Sequence, residues 1–126
     1  MRSTISWLPL RFTDETYKEV VETLPKILNT KLKVEPWGFV IGESEDEYTA
    51  FSREGFQHSL VKTNHSPCTK EIMKALILLV EYDVTDELAH DDRDTMNYLD
   101  ALEEVHAKFP LVSYDDQKRY FLRRNG

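Results

Sequence analysis

The amino-acid sequence predicts an α+β fold: a single domain over residues 1–126, with a small antiparallel sheet of about three to four strands and helices mainly on one face. Three observations lead to this prediction. The length suits one compact domain, and 40% hydrophobic residues are enough to build its core. The hydrophobic period is near two in the middle of the chain and helical elsewhere. A segment at about 67–82 has the character of a buried central helix.

The first part of the chain predicts a strand followed by a helix. Residues 5–12 alternate weakly, but Pro9 cannot donate a ladder hydrogen bond, so any strand there is short or lies at an edge. Thr13 then begins an amphipathic helix with apolar residues three and four positions apart. Because Pro25 lies inside it, we expect this helix to be bent or divided near residues 21–24.

The middle of the chain predicts a three-stranded antiparallel meander. Its strands are the apolar and aromatic segments 37–41, 48–51 and 56–61. Polar segments at 44–47 and 53–55 separate them as turns. Sequential strands of this kind tend to pair with one another.

The second half predicts three helices. Ser66 and Pro67 suit the cap and the first position of a helix. The run Ala75–Val80 is apolar on every face, so this helix is expected to be the buried centre of the fold.

Two further helices complete the prediction. The apolar spacing over 96–109 indicates an amphipathic helix that Pro110 ends. Ser113, with Asp116 three residues later, resembles a capping box that opens a short last helix.

The charge of the protein is concentrated in one part of the chain. The formal net charge is −7, yet residues 81–104, here called the acidic segment, carry ten carboxylates and only one base, Arg93. Six of these carboxylates fall in a predicted connection at 83–94, here called the acidic loop. The rest of the chain is close to neutral. Clustered charge creates a local field, whereas scattered charge mainly promotes solubility.

The acidic segment is the leading candidate for a binding site. It is expected to contact a protein partner with a basic surface, since charge complementarity steers association. A plain solvated surface is the competing interpretation. The sequence thus favours a non-catalytic protein-binding or inhibitory module, such as an immunity or anti-defence protein of a mobile element. The predicted binding residues are Asp86, Glu87, Asp91, Asp92 and Asp94.

The junction between the predicted strand and central helix offers an alternative function. Cys68 lies in the first helical turn, where the helix dipole lowers the pKa of a thiol, and His65 is close enough in sequence to act as a base. Lys62 could bind an anion there. A small enzyme or ligand-binding module would use these three residues. The competing interpretation is a helix cap beside an unreactive cysteine.

Other classes are less favoured by the composition. The only cysteine suits a reducing compartment, so we expect a cytoplasmic protein. The longest apolar run has six residues, which predicts no membrane span. An isoelectric point near 5.1 makes nucleic acid an improbable partner. No pattern indicates a metal site or a cofactor.

The aromatic residues leave a third function open. Helices on one face of a sheet expose the other face, where aromatic side chains can serve as anchors for a partner. The exposed face or an edge strand could instead pair with a second copy, which would make the protein a self-associating structural subunit. Core packing is the competing interpretation. The residues concerned are Trp7, Trp37, Phe39, Tyr48, Phe51 and Phe56.

Overall fold

The structure is a computed structural model that describes residues 3–7, 10–44, 47–53, 59–63, 67–86, 88–90 and 96–125. It confirms the α+β class. In chain order the elements are β1 (Ser3–Trp7), α1 (Asp14–Ile27), β2 (Leu32–Glu35), β3 (Gly38–Ser44), β4 (Glu47–Ser52), β5 (Ser59–Thr63), α2 (Pro67–Glu81), β6 (Leu88–His90), α3 (Met96–Lys108) and α4 (Tyr114–Asn125).

The described strands form two antiparallel sheets of three strands each, in the orders β5-β1-β6 and β2-β3-β4. The meander is therefore shifted by one strand from the prediction: it starts with β2, in which Leu32 and Val34 alternate with charged residues. The predicted pairing of the 56–61 segment with the preceding strand is wrong. β5 instead pairs with β1, with Ile5 opposite Val61. Local sequence patterns do not specify such a long-range partner.

The centre of the core is α2, as the sequence predicts. Ile72, Met73 and residues 75–79 are completely buried. This helix contacts α1 and α3 as well as strands β3, β4 and β6. On the sheet, Phe39 and Phe51 face each other across β3 and β4 and stack with ring centroids 5.0 Å apart. One hydrophobic core thus joins the helices to the β2–β4 sheet.

Helix α1 begins as predicted but is not divided. The Thr13 hydroxyl oxygen caps it by accepting a hydrogen bond from the Thr16 amide at 3.0 Å. The helix continues through Pro25 to Ile27. Pro25 lies in the last turn, where its missing amide removes only one hydrogen bond from the end of the helix.

The start of α4 is organised by α2 rather than by the predicted capping box. The Glu81 carboxylate accepts hydrogen bonds from the amides of Val112 at 3.0 Å and Ser113 at 2.9 Å. The Ser113 hydroxyl also donates to Glu81, at 2.6 Å. Glu81, not Asp116, therefore provides the carboxylate that contacts Ser113, a tertiary contact that local sequence does not reveal.

Candidate functional site

The acidic loop begins with an ion pair to the N-terminal part of the chain. The Asp86 carboxylate lies 2.9 Å from the Arg11 guanidinium, and both side chains are about two-thirds exposed. Glu87, Asp91, Asp92 and Asp94 lie outside the described residues. Their role in binding stays a prediction, but the first residue of the predicted site is fixed in position.

Several acids of the acidic segment have partners within the protein. Glu81 binds backbone amides next to α4, and Glu103 lies 3.7 Å from the Lys118 ammonium group. Glu104 forms ion pairs with Lys70 and Lys74. Glu103 and Glu104 on α3 are therefore engaged in internal contacts, as Asp86 of the acidic loop is with Arg11.

A buried charge network joins α1, α2 and α3. The Lys74 ammonium nitrogen lies 2.8 Å from Oε2 of Glu71 and 2.7 Å from Oε2 of Glu104, and the Lys74 side chain is only 1% exposed. Glu71 also accepts a hydrogen bond from the Asn29 amide. No local sequence signal predicts this network, because Asn29 and Glu104 lie far from α2 along the chain.

Lys74 does not have the character of a catalytic amine. Burial lowers the pKa of Lys74, but the hydrogen bonds and charges of Glu104 and Glu71 outweigh it and raise the pKa above its ordinary value. The raised pKa favours the ammonium form, which is the form that pairs with the two carboxylates. Its contacts indicate a structural role.

The predicted junction site is not assembled from described side chains. The backbone of Lys62 lies in β5 opposite Thr4, and Cys68 is the second residue of α2. His65 lies outside the described residues, as do the side chains of Lys62 and Cys68. A reactive site at this junction stays a prediction. Within the described part of the chain, no group of three or more potential ligand side chains is placed to hold a metal ion.

An open cleft of about 410 Å³ lies where α1 meets the turn between β2 and β3. We call it the Trp37 cleft. It is lined by Phe12, Asp14, Pro36, Trp37, Ser52 and Arg53. The Trp37 side chain is 50% exposed, although tryptophan is usually well buried.

The wall of the Trp37 cleft is held in a fixed arrangement. The Arg53 guanidinium lies over the Tyr17 ring, 4.2 Å from its centroid, and 2.6 Å from Oδ1 of Asp14. The Arg53 amide donates a hydrogen bond to the Trp37 carbonyl at 2.8 Å. A cation–π contact, an ion pair and a backbone hydrogen bond thus join Arg53, which follows β4, to α1 and to the turn.

Tyr17 and Gly38 determine the position of the turn itself. The Tyr17 hydroxyl lies 2.9 Å and 2.8 Å from the carbonyl oxygens of Glu35 and Gly38, to which it can donate. Burial raises the pKa of Tyr17, so the hydroxyl keeps its proton for this donation. A Cβ atom at Gly38 would lie 1.9 Å from the Phe51 carbonyl oxygen, so only glycine fits.

The start of the acidic loop contacts Arg11, the residue before Phe12. The Arg11 amide donates a hydrogen bond to the Val84 carbonyl at 2.9 Å, and the Arg11 side chain binds Asp86. Phe12, the next residue, lines the cleft. Two consecutive residues thus contact the described start of the acidic loop and line the aromatic cleft.

The aromatic residues singled out in the sequence divide into two groups. Phe39 and Phe51 are core residues, so they do not serve as anchors. Trp37 and Tyr48 are 50% and 56% exposed. The side chains of Trp7 and Phe56 lie outside the described part. The tryptophan between Pro36 and Gly38 is a signal that could have identified the turn as the site.

Comparisons with protein-family models, curated proteins and solved structures gave no significant match. None of the helices that the structure describes has the length and apolar content that crossing a membrane requires.

Proposed function

We propose that this chain is a non-catalytic protein-binding module with an inhibitory role, and that it binds a partner with a basic surface. The Trp37 cleft would provide the anchor, and the acidic loop would guide the partner electrostatically. The observation that carries this proposal is the half-exposed Trp37 side chain on a turn whose position is fixed by Tyr17 and Arg53.

The Trp37 cleft and the acidic loop are expected to contribute to binding in different ways, the cleft to affinity and the loop to the association rate. Tryptophan, tyrosine and arginine are over-represented among the residues that contribute most binding energy, and a rigid surface loses little entropy on association. Clustered acids act differently, because they raise the association rate with a basic partner and make this rate depend on salt. The cleft and the acidic loop would thus make two distinct contributions to one contact, the first to affinity and the second to the association rate.

The proposed compartment is the cytoplasm, where a single free cysteine stays reduced. An inhibitor of this kind needs no catalytic group, because occupying a functional surface of its partner is sufficient. Blocked activity of the purified partner, with no turnover by this protein, is the expected biochemical signature.

The first experiment identifies the partner and tests the cleft. The wild-type protein and the Trp37→Ala variant are used as baits in cells of the native host, and the enriched protein is then purified. The control is Val112→Ala, because Val112 is 96% exposed on the loop before α4. Trp37→Ala should weaken binding of the purified partner by at least about tenfold, mainly through faster dissociation. Equal weakening by both substitutions would contradict the proposal.

The second experiment tests the acidic loop. Asp91, Asp92 and Asp94 are replaced together by lysine, and association with the purified partner is followed at two salt concentrations. The association rate should fall, and its salt dependence should become weaker. If the rate and its salt dependence both stay unchanged, the acidic loop has no part in binding.

A further inference from the structure

We propose that the Trp37 cleft recognises an arginine side chain of the partner, with the guanidinium stacked on Trp37 and bonded to Asp14. This inference rests on the proposed function and specifies the chemistry of the contact. It follows from the combination of a half-exposed tryptophan and an exposed carboxylate that line one cleft.

The protein already contains an arginine bound in the proposed manner. The Arg53 guanidinium lies over an aromatic ring, that of Tyr17, and contacts a carboxylate, that of Asp14. Arginine combines these two contacts well, because its planar group stacks on rings and donates several hydrogen bonds in a fixed geometry. Trp37 lines the same cleft and offers a second ring.

Asp14 has the capacity to bind a second guanidinium. Its side chain is 98% exposed, and the contact with Arg53 uses Oδ1. An ionised carboxylate has about four acceptor positions, so one carboxylate can accept hydrogen bonds from two arginines. Because an exposed ion pair contributes little stability, sharing Asp14 costs the folded protein little.

The charges around the cleft favour a cation over an anion. Arg53 is paired with Asp14, and Arg11 is paired with Asp86. Glu15 adds a further exposed acid on the first turn of α1. Because the two ion pairs are neutral, Glu15 leaves a net negative charge among these five side chains, which attracts an arginine and repels a carboxylate or phosphate.

The experiment uses two short peptides that differ in one charge. One is a glycine-flanked arginine peptide, and the other carries citrulline, which has nearly the same shape but no charge. Each is titrated into the intact Trp7→Phe protein while the indole N–H resonance of Trp37 is followed by NMR. The arginine peptide should bind saturably, and the citrulline peptide should bind at least about fivefold more weakly.

Variants test the role of Asp14 with a matched control. Asp14→Asn should weaken binding of the arginine peptide several-fold, whereas Glu15→Gln, at the neighbouring exposed position, should have a smaller effect. Equal binding of both peptides, or no saturable binding of either, would overturn the arginine assignment. The proposed protein-binding function would still hold if Trp37→Ala weakens binding of the purified partner. Failure of the arginine assignment can therefore be distinguished from failure of the proposed function.

Discussion

The buried charge network provides the sharpest prediction about stability. Replacing Lys74 by methionine removes a charge that is 1% exposed and leaves the Glu71 carboxylate, 6% exposed, without its cation. Breaking a buried ion pair by removing one partner typically costs about 3–5 kcal/mol. Glu104 is more exposed and keeps Lys70, so the loss arises mainly at Glu71. We expect the free energy of unfolding to fall by about 3 kcal/mol.

Urea denaturation measures this change, and a double variant controls for packing. Lys74→Met should lower the urea midpoint with little change in the slope of unfolding free energy against urea concentration. Adding Glu71→Gln removes the orphaned charge and should restore most of the lost stability, because a buried pair can often be replaced at little cost. Lys118→Met, which removes an exposed ion pair to Glu103, should cause no measurable change. A loss below about 1 kcal/mol in Lys74→Met would refute this reasoning.

Three further predictions concern the turn and the charge network. Gly38→Ala should lower the free energy of unfolding, measured by urea denaturation, by at least about 2 kcal/mol, because the new Cβ would lie 1.9 Å from a backbone oxygen of β4. An unchanged free energy of unfolding would contradict this, since it would mean that β3 and β4 move apart at little cost. Tyr17→Phe should cost about 1–2 kcal/mol, because two turn carbonyls lose their hydroxyl contact; an unchanged urea midpoint would contradict this. Burial alone would raise the pKa of Glu104, but Lys70 and Lys74 outweigh it and lower the pKa. The stability that this shift provides is present above the ordinary glutamate pKa and is lost as the pH falls through the lowered value. As the pH is lowered from 7 to 3, the urea midpoint should therefore fall less in Glu104→Gln than in the wild type. Parallel plots of urea midpoint against pH for the two proteins would contradict the lowered pKa of Glu104.

The helices were the most predictable part of the fold. α2 and α3 agree with the sequence prediction to within about one residue at each end, because their apolar periodicity and bounding prolines are local signals. The pairing of β5 with β1 was not predictable in this way. It joins segments more than fifty residues apart, such as Ile5 and Val61, and no local pattern encodes that partner.

The candidate site was predictable only in part. The sequence singled out Trp37 among six aromatic residues. The exposure of Trp37, however, depends on the position of its turn, which Tyr17 and Gly38 determine. The pairing of Arg53 with Asp14 and that of Arg11 with Asp86 arise from tertiary structure, so sequence spacing gave no indication of them. These contacts tie Asp86, at the described start of the acidic loop, to the residue before Phe12, and Arg53 of the cleft to Asp14.

The accessibility of Trp37 in the complex tests the central claim most directly. The chain has two tryptophans, so a Trp7→Phe background leaves Trp37 as the only one in this protein. Fluorescence quenching by acrylamide is measured with and without saturating partner, after tryptophans of the partner are replaced by phenylalanine. Burial of Trp37 against the partner predicts a several-fold smaller quenching constant in the complex. An unchanged quenching constant at saturation would contradict binding through the Trp37 cleft.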